Sequence, residues 1–285
     1  MEIIKEYYTL TKPGIIYGNL VSAIAGFMLA SQGQINLKIL FVTLIGLGFI
    51  IGSACVFNNI LDRSIDAKMP RTKKRALVTK KISVHHAFIF GKILLVAGCI
   101  ILWLFANLLT MLTALLGFFV YVIVYGFAKR KTPLSVEIGS IAGATPPVVG
   151  YLAVTNNIDI IAVLLFLILV FWQMPHFFAI AIFRKSEYAN TKMPIVSLKR
   201  SFQYIHLAAV VYTVLFIASL IGLYLIKATG ILYAIGVLVI SFMVIRSTFP
   251  PSKNETAWAG KVFKSYMYAL IVWLAAIYVD SLFKL

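Results

Sequence analysis

The sequence predicts an all-α integral membrane protein: a bundle of nine transmembrane helices, with the N-terminus cytoplasmic and the C-terminus outside. Three observations lead there. Hydrophobic residues make up 61% of the 285-residue chain and charged residues 12%, against roughly 45–50% and about 25% in soluble domains. The apolar residues fall in blocks long enough to cross a bilayer core of about 30 Å, which takes about 20 helical residues. The cations collect on alternate connections between those blocks, as the positive-inside rule requires.

The expected spans are 13–31, 37–60, 88–106, 108–128, 135–154, 159–183, 204–226, 229–248 and 264–283. The first is too long for the apolar region of a signal peptide, and no small-residue cleavage site follows it. The second ends in a polar, acidic stretch, Asn58 to Asp66. The third and fourth are joined so closely that they must be antiparallel neighbours, and so are the seventh and eighth. The fourth closes on Lys129, Arg130 and Lys131, cations favoured at a helix C-terminus. The fifth carries Gly139-Ser140-Ile141-Ala142-Gly143-Ala144-Thr145, small residues suited to close packing. Pro146-Pro147 then break the helix beside a candidate cavity. Gly14 with Gly18, and Gly48 with Gly52, have the same small-residue spacing. Pro175 sits inside the sixth span and frees a backbone carbonyl. No soluble domain is appended, so residues 1–285 are expected to form a single transmembrane domain.

Lys and Arg number 26 and Asp and Glu 9, a formal net charge of +17. On a soluble chain this would suggest nucleic acid; here it points to a membrane surface and anionic substrates, with no nucleic-acid partner. On the cytoplasmic side fall Lys5 and Lys12, nine cations between Arg63 and Lys92, Lys129 to Lys131, five between Arg184 and Arg200 (Lys192 among them), and four between Arg246 and Lys264. The outer side has Lys38, Lys227 and Lys284. The cytoplasmic membrane of a bacterium is the expected location, with the chemistry on its inner face. Cys55 and Cys99 lie in apolar segments without a CxxC partner and read as small core residues.

With so few acids, each can be questioned. Glu2, Glu6, Glu255, Asp159 and Asp280 read as solvated interface charges. Asn59, Asp62 and Asp66 are spaced i, i+3, i+7, on one helical face. Two carboxylates and an amide are hard oxygen ligands that suit Mg²⁺, which binds through one or two carboxylates plus substrate phosphates. Arg63, Lys68, Arg71, Lys73, Lys74 and Arg75 lie beside them, and metal held next to Arg and Lys is a diphosphate clamp. The alternative is a charged helix end with internal salt bridges and cations facing lipid headgroups. His176 lies deep in the sixth span, where an ionisable side chain is a functional candidate. A haem-iron ligand, a hydrogen-bond donor, a proton carrier and a histidine satisfied by a neighbouring helix all remain open for it. On a continuous helix Glu187 would share its face. His85, His86 and His206 read as interfacial. Glu137 is a candidate partner for the 129–131 cations.

Asn59, Asp62 and Asp66, read as NxxDxxxD, resemble the first aspartate-rich motif of the UbiA-like intramembrane prenyltransferases. NNILDRSIDAKMPRTKKRALVT, YGFAKRKTPLSVEIGSIAGATPPVVGY and WQMPHFFAIAIFRKSEY are together most similar to the branch that farnesylates haem. The resemblance implies transfer of a farnesyl group from farnesyl diphosphate to a vinyl group of haem B with addition of water, giving haem O and diphosphate. It implies Mg²⁺ held by Asn59, Asp62 and Asp66. Arg63, Arg71 and Arg75 would contact the diphosphate or the haem propionates, and Lys129 and Arg130 the diphosphate, beside Tyr125. His176 would face the haem, Arg184 and Glu187 would form the second motif, and Lys12 would be the basic lead-in to the first span. Where quinone-type relatives have several aspartates in that second motif, this chain has only Glu187. Contact with haem A synthase or the oxidase assembly machinery would follow from the same resemblance. The competing readings are a quinone-precursor prenyltransferase, a haem carrier or transporter, and a non-catalytic assembly factor.

Overall fold

The computed structural model describes residues 2–189, 193–250 and 252–283. Polar residues between the apolar blocks start the helices by capping their free amides. Asn36 Oδ1 accepts from Ile39 N at 3.2 Å, Ser83 Oγ from His86 N at 3.1 Å, and Asn107 Oδ1 from Thr110 N at 2.8 Å. Asp159 Oδ1 accepts from the amides of Ile161 and Ala162, and Ser201 Oγ from that of Tyr204.

The helices run α1 (Glu2–Leu10), α2 (Pro13–Ser31), α3 (Leu37–Asp66), α4 (Val84–Phe105) and α5 (Leu108–Phe119). A π-helical turn, Val120–Val124, joins α5 to α6 (Tyr125–Lys131). Then come α7 (Ser135–Gly143), α8 (Thr145–Thr155), α9 (Ile160–Phe183), α10 (Lys185–Ala189), α11 (Val196–Lys199), α12 (Phe202–Leu225), α13 (Ile231–Thr248) and α14 (Glu255–Phe283). Among the described residues, nine helical stretches are long and apolar enough to cross a membrane, counting α5–α6 and α7–α8 as one each. Lys192 and Lys284, counted above with the inner and outer cations, lie outside the described residues.

Several expected boundaries move. α3 continues six residues past 60, α4 begins at Val84 and α14 at Glu255. Hydropathy marks where lipid ends, whereas a cap or a turn marks where a helix ends. Lys92, Lys261 and Lys264 therefore sit within helices and not in loops. α9 passes through Pro175 unbroken, but it stops at Phe183. Glu187 lies on the separate α10, so the shared helical face expected for His176 and Glu187 does not exist.

The tightest crossing is between α2 and α8. A Cβ on Gly26 would stand 1.8 Å from the Pro147 carbonyl oxygen, and one on Gly150 1.9 Å from that of Ala23. Backbones approach this closely in lipid only where both helices present small residues. Gly48 and Gly52 face Ile16, as a packing motif should, but Gly14 and Gly18 face open space and pack nothing. The α7–α8 break falls at Ala144, with Pro146 and Pro147 in the first turn of α8, where their missing amides cost nothing. Gln173 of α9 fills the break, donating to the carbonyls of Ser140 and Leu169.

Asp280 is not a solvated interface charge. It is buried and accepts from the amides of Gly230 (2.7 Å) and Tyr233 (3.1 Å), capping α13 from α14. Asp159, half-buried, also receives the Tyr151 hydroxyl at 2.6 Å. His85 and His86 are exposed at the start of α4, as expected. His206 is half-buried against Phe202 and Trp258, with a buried Nε2 that has no partner.

Candidate active site

The site gathers at one end of the bundle, where α3 outruns the apolar part of its sequence. Its last two turns carry Asn58, Asn59, Asp62, Arg63 and Asp66. The elbow between α1 and α2 is stitched to this end: Asn59 Nδ2 donates to the Leu10 carbonyl at 2.8 Å, and Lys12 Nζ to Asn58 Oδ1 at 2.9 Å. Lys12 holds a left-handed backbone at φ 54° just before Pro13, which costs a non-glycine residue roughly 1–2 kcal/mol. That strain turns the chain so that the lysine points into the site. Burial lowers the Lys12 pKa from an ordinary 10.5 to about 8.

The i, i+3, i+7 face is real, and cations satisfy it in two groups. Arg75 Nη1 donates both to Asn59 Oδ1 (3.0 Å) and to Asp66 Oδ2 (2.6 Å). Asp62 takes Lys129 Nζ at 2.5 Å and Arg130 Nη2 at 3.1 Å. Asp62 and Lys129 are nearly enclosed, their side chains 14% and 7% exposed. Lys129 also lies 5.2 Å from the Tyr125 ring centroid, and Tyr125 stacks on Tyr121 at 5.6 Å. The π-helical turn lies in this stretch, with Tyr121 inside it and Tyr125 at its end. Arg63 makes no ion pair with a described residue.

The second expected cluster faces the first. Arg184 hydrogen-bonds Glu187, and Arg71 Nε lies 3.7 Å from Glu187 Oε2. One glutamate thus ties the segment after α3 to the end of α9. Tyr188, which closes the second sequence cluster but had no role assigned to it, lies within electrostatic reach of Arg71, Glu187, Arg184 and Asp62, and burial raises its phenol pKa. No residue spacing links positions 62 and 188; only the folded chain does. Glu137 does not meet the 129–131 cations: Asp62 takes two of them, and Glu137 Oε2 is buried without a hydrogen-bond partner among the described residues.

His176 is buried, with its ring stacked near Trp172 (5.1 Å, 16°) and near Phe263 (4.8 Å, 24°). Its Nδ1 has no hydrogen-bond partner among the described residues. A cavity of about 270 Å³ opens between α1 and the segment after α3, lined by Glu6, Lys12, Asn59, Arg71, Lys74 and Arg75 among others.

A family model described as the UbiA prenyltransferase family matches residues 19–278. The chain belongs to the UbiA prenyltransferase family. Curated relatives within it include the Protoheme IX farnesyltransferase of Protochlamydia amoebophila, 42% identical over 264 residues, 92% of this chain and 93% of that one. The one from Aliivibrio salmonicida is 40% identical over 282 residues, 98% and 97% of the two chains. Among solved UbiA folds, a digeranylgeranylglyceryl phosphate synthase superposes with a TM-score of 0.84 at 20% identity, covering 99% of both chains. A UbiA homolog from Archaeoglobus fulgidus bound to GPP and Mg²⁺ gives 0.64 at 16% identity, covering 95% and 99%. These two share the fold. The nine-helix arrangement is therefore that of a UbiA prenyltransferase, and the NxxDxxxD reading of α3 falls inside the matched region.

Proposed function

We propose that this chain joins the farnesyl group of farnesyl diphosphate to a vinyl group of haem B, with addition of water, giving haem O and diphosphate. The observation that carries the chemistry is the convergence of Asn59 Oδ1 and Asp66 Oδ2 on one cationic nitrogen, one turn from the Asp62–Lys129–Arg130 group. The roughly 40% identity to curated protohaem farnesyltransferases over nearly the whole chain supports the choice of haem as acceptor. Whatever the acceptor, residues 1–285 act as one transmembrane prenyltransferase unit in this reading, with the N-terminus and the site on the cytoplasmic side of a bacterial inner membrane.

The residues fit Mg²⁺. Two oxygens already share a single cation, and Asp62 adds a third hard donor one helical turn away. Among the described residues no three His, Cys, Asp or Glu side chains cluster for a metal, so Asn59 and the substrate's own oxygens complete the set. When bound, the metal neutralises charge on the departing diphosphate.

The rest is done by side chains. Lys129, Arg130, Lys12 and Arg75 hold the diphosphate oxygens and stabilise the negative charge that grows as the carbon–oxygen bond breaks. The electron pair leaves with the diphosphate. The vinyl π pair forms the new carbon–carbon bond, water adds to the adjacent carbon, and one proton is released. Tyr121 and Tyr125 present ring faces to the allylic cation and help exclude water from it. Arg71 and Arg184, oriented by Glu187, receive the haem propionates. His176 faces the haem from beside Trp172 and Phe263. Contact with later haem-modifying or oxidase-assembly proteins belongs to the same reading.

Incubating the detergent-purified protein with haem B, farnesyl diphosphate and Mg²⁺ tests this by mass. The expected product is haem B plus one farnesyl group and one hydroxyl, absent when Mg²⁺ is chelated. Prenylation of 4-hydroxybenzoate with haem left unchanged would move the assignment to quinone precursors.

A further inference from the structure

We propose that Arg75 is an internal counter-ion that keeps divalent metal out of Asn59 and Asp66 until an anion draws it into the cavity beneath α1. The proposal rests on the metal-dependent reading above and adds an order of events to it. Arg75 Nη1 stands at the point where Asn59 Oδ1 and Asp66 Oδ2 meet, at 3.0 and 2.6 Å. A divalent cation placed there with Arg75 unmoved would face a like charge at contact distance, in a part-buried setting where screening is weak.

Arg75 also lines the cavity of about 270 Å³, so its guanidinium has somewhere else to go. That cavity is short of negative charge. Its one acid, Glu6, is taken by Lys81 at 2.6 Å. Lys12 is hydrogen-bonded to an amide oxygen, and Lys74 has no carboxylate partner among the described residues. A phosphate or diphosphate entering there gives Arg75 a charged partner with a fork-shaped match, and only then are both oxygens free. The two events are coupled by linkage, so metal must in turn favour the anion by the same factor. The benefit is chemical: the full metal charge is assembled only around a seated diphosphate.

The test measures Mn²⁺ binding to the full-length protein in detergent, from the loss of the free-ion electron paramagnetic resonance signal. Without anion, Arg75→Gln is expected to bind Mn²⁺ at least tenfold more tightly than wild type, while Arg75→Lys stays as weak as wild type. Millimolar inorganic phosphate should tighten Mn²⁺ on wild type by a clearly larger factor than on Arg75→Gln, where only direct ligation of the metal by phosphate remains. Equal Mn²⁺ affinity in wild type and Arg75→Gln, with the same phosphate response, overturns the gate and leaves the metal site standing. Should Arg75→Gln fail to fold, wild type alone decides: no tightening by phosphate overturns the gate. No Mn²⁺ on any variant even with phosphate, or binding that survives Asp66→Asn, overturns the metal site and the gate with it.

Discussion

Asp62 and Lys129 form a close pair with little solvent around it, and such pairs behave differently from surface ones. Removing one partner leaves the other charged and desolvated, a loss of about 3–5 kcal/mol. Asp62→Ala would therefore mix a folding defect with a catalytic one, and Asp62→Asn is the better probe because it keeps the shape. Its turnover is expected to fall on the order of 10²–10³-fold, as when one preorganised charge contact is removed from a transition state. The protein should still fold in detergent with a lowered melting temperature, since the amide oxygen can accept from Lys129 but no longer balances its charge, and unimpaired turnover would remove Asp62 from the site. Lys12 gives a second test through pH. Its folded pKa of about 8 lies below the ordinary 10.5, so the fold binds this proton less tightly than the unfolded chain does. Between those values, rising pH favours the folded state at this position but removes the charge that meets the diphosphate. The value of kcat/KM for farnesyl diphosphate should therefore decline above about pH 8, and Lys12→Arg should flatten that limb. An unchanged profile in Lys12→Arg would free Lys12 of the role.

At the scale of elements, the α2–α8 crossing is the least forgiving contact. Gly26→Val would drive a branched side chain into the Pro147 carbonyl, and overpacking costs typically about 1–3 kcal/mol, more where backbone cannot move. The expected result is a lower melting temperature or no folded protein. Gly143→Ala meets only the end of the Gln173 side chain, 2.0 Å from where its Cβ would stand, and should be milder. Equal melting temperatures for Gly26→Val and wild type would refute the close crossing. The nine spans were legible because lipid demands continuous apolar runs. The acidic face of α3 was legible because period 3.6 survives in sequence. Three things were not. The α1 helix is short and polar-faced. The π-helical turn in Val120-Tyr121-Val122-Ile123-Val124 has no residue signature of its own. The stop at Phe183 separates two residues that a helical wheel would align, so the link from Glu187 to Arg71 arises only from the tertiary fold.

For the whole molecule, the charge pattern orders the two faces. The expected topology is tested with single cysteines placed in a background lacking Cys55 and Cys99. Asn156→Cys, in the turn between α8 and α9, should react with a membrane-impermeant maleimide on intact cells. Lys74→Cys, beside the site, should react only after permeabilisation. The opposite pattern would invert the protein and put the chemistry on the outer face. Of the three apolar clusters among the described residues, a small one built around Leu10, Val56, Ala76, Leu77, Ile82 and Ala87 is packed beside the candidate site. The elbow carrying Lys12 and the segment carrying Arg75 thus rest on a small core of their own, while the main core joins α2 and α8 to α9, α12, α13 and α14.

α3 has 30 residues, and at 1.5 Å per residue it spans about 45 Å, well beyond a hydrocarbon core of about 30 Å. Its overhang works as a fixed ruler. In the proposed reading it would set Asp62 and Asp66 near headgroup height, so that a diphosphate is gripped at the membrane surface while its prenyl tail dips into the oily layer. Bilayer thickness thereby becomes a variable of the reaction: a thicker membrane would pull this end toward hydrocarbon, and a thinner one would lift it clear, changing how much of the tail must be drawn out of lipid to react.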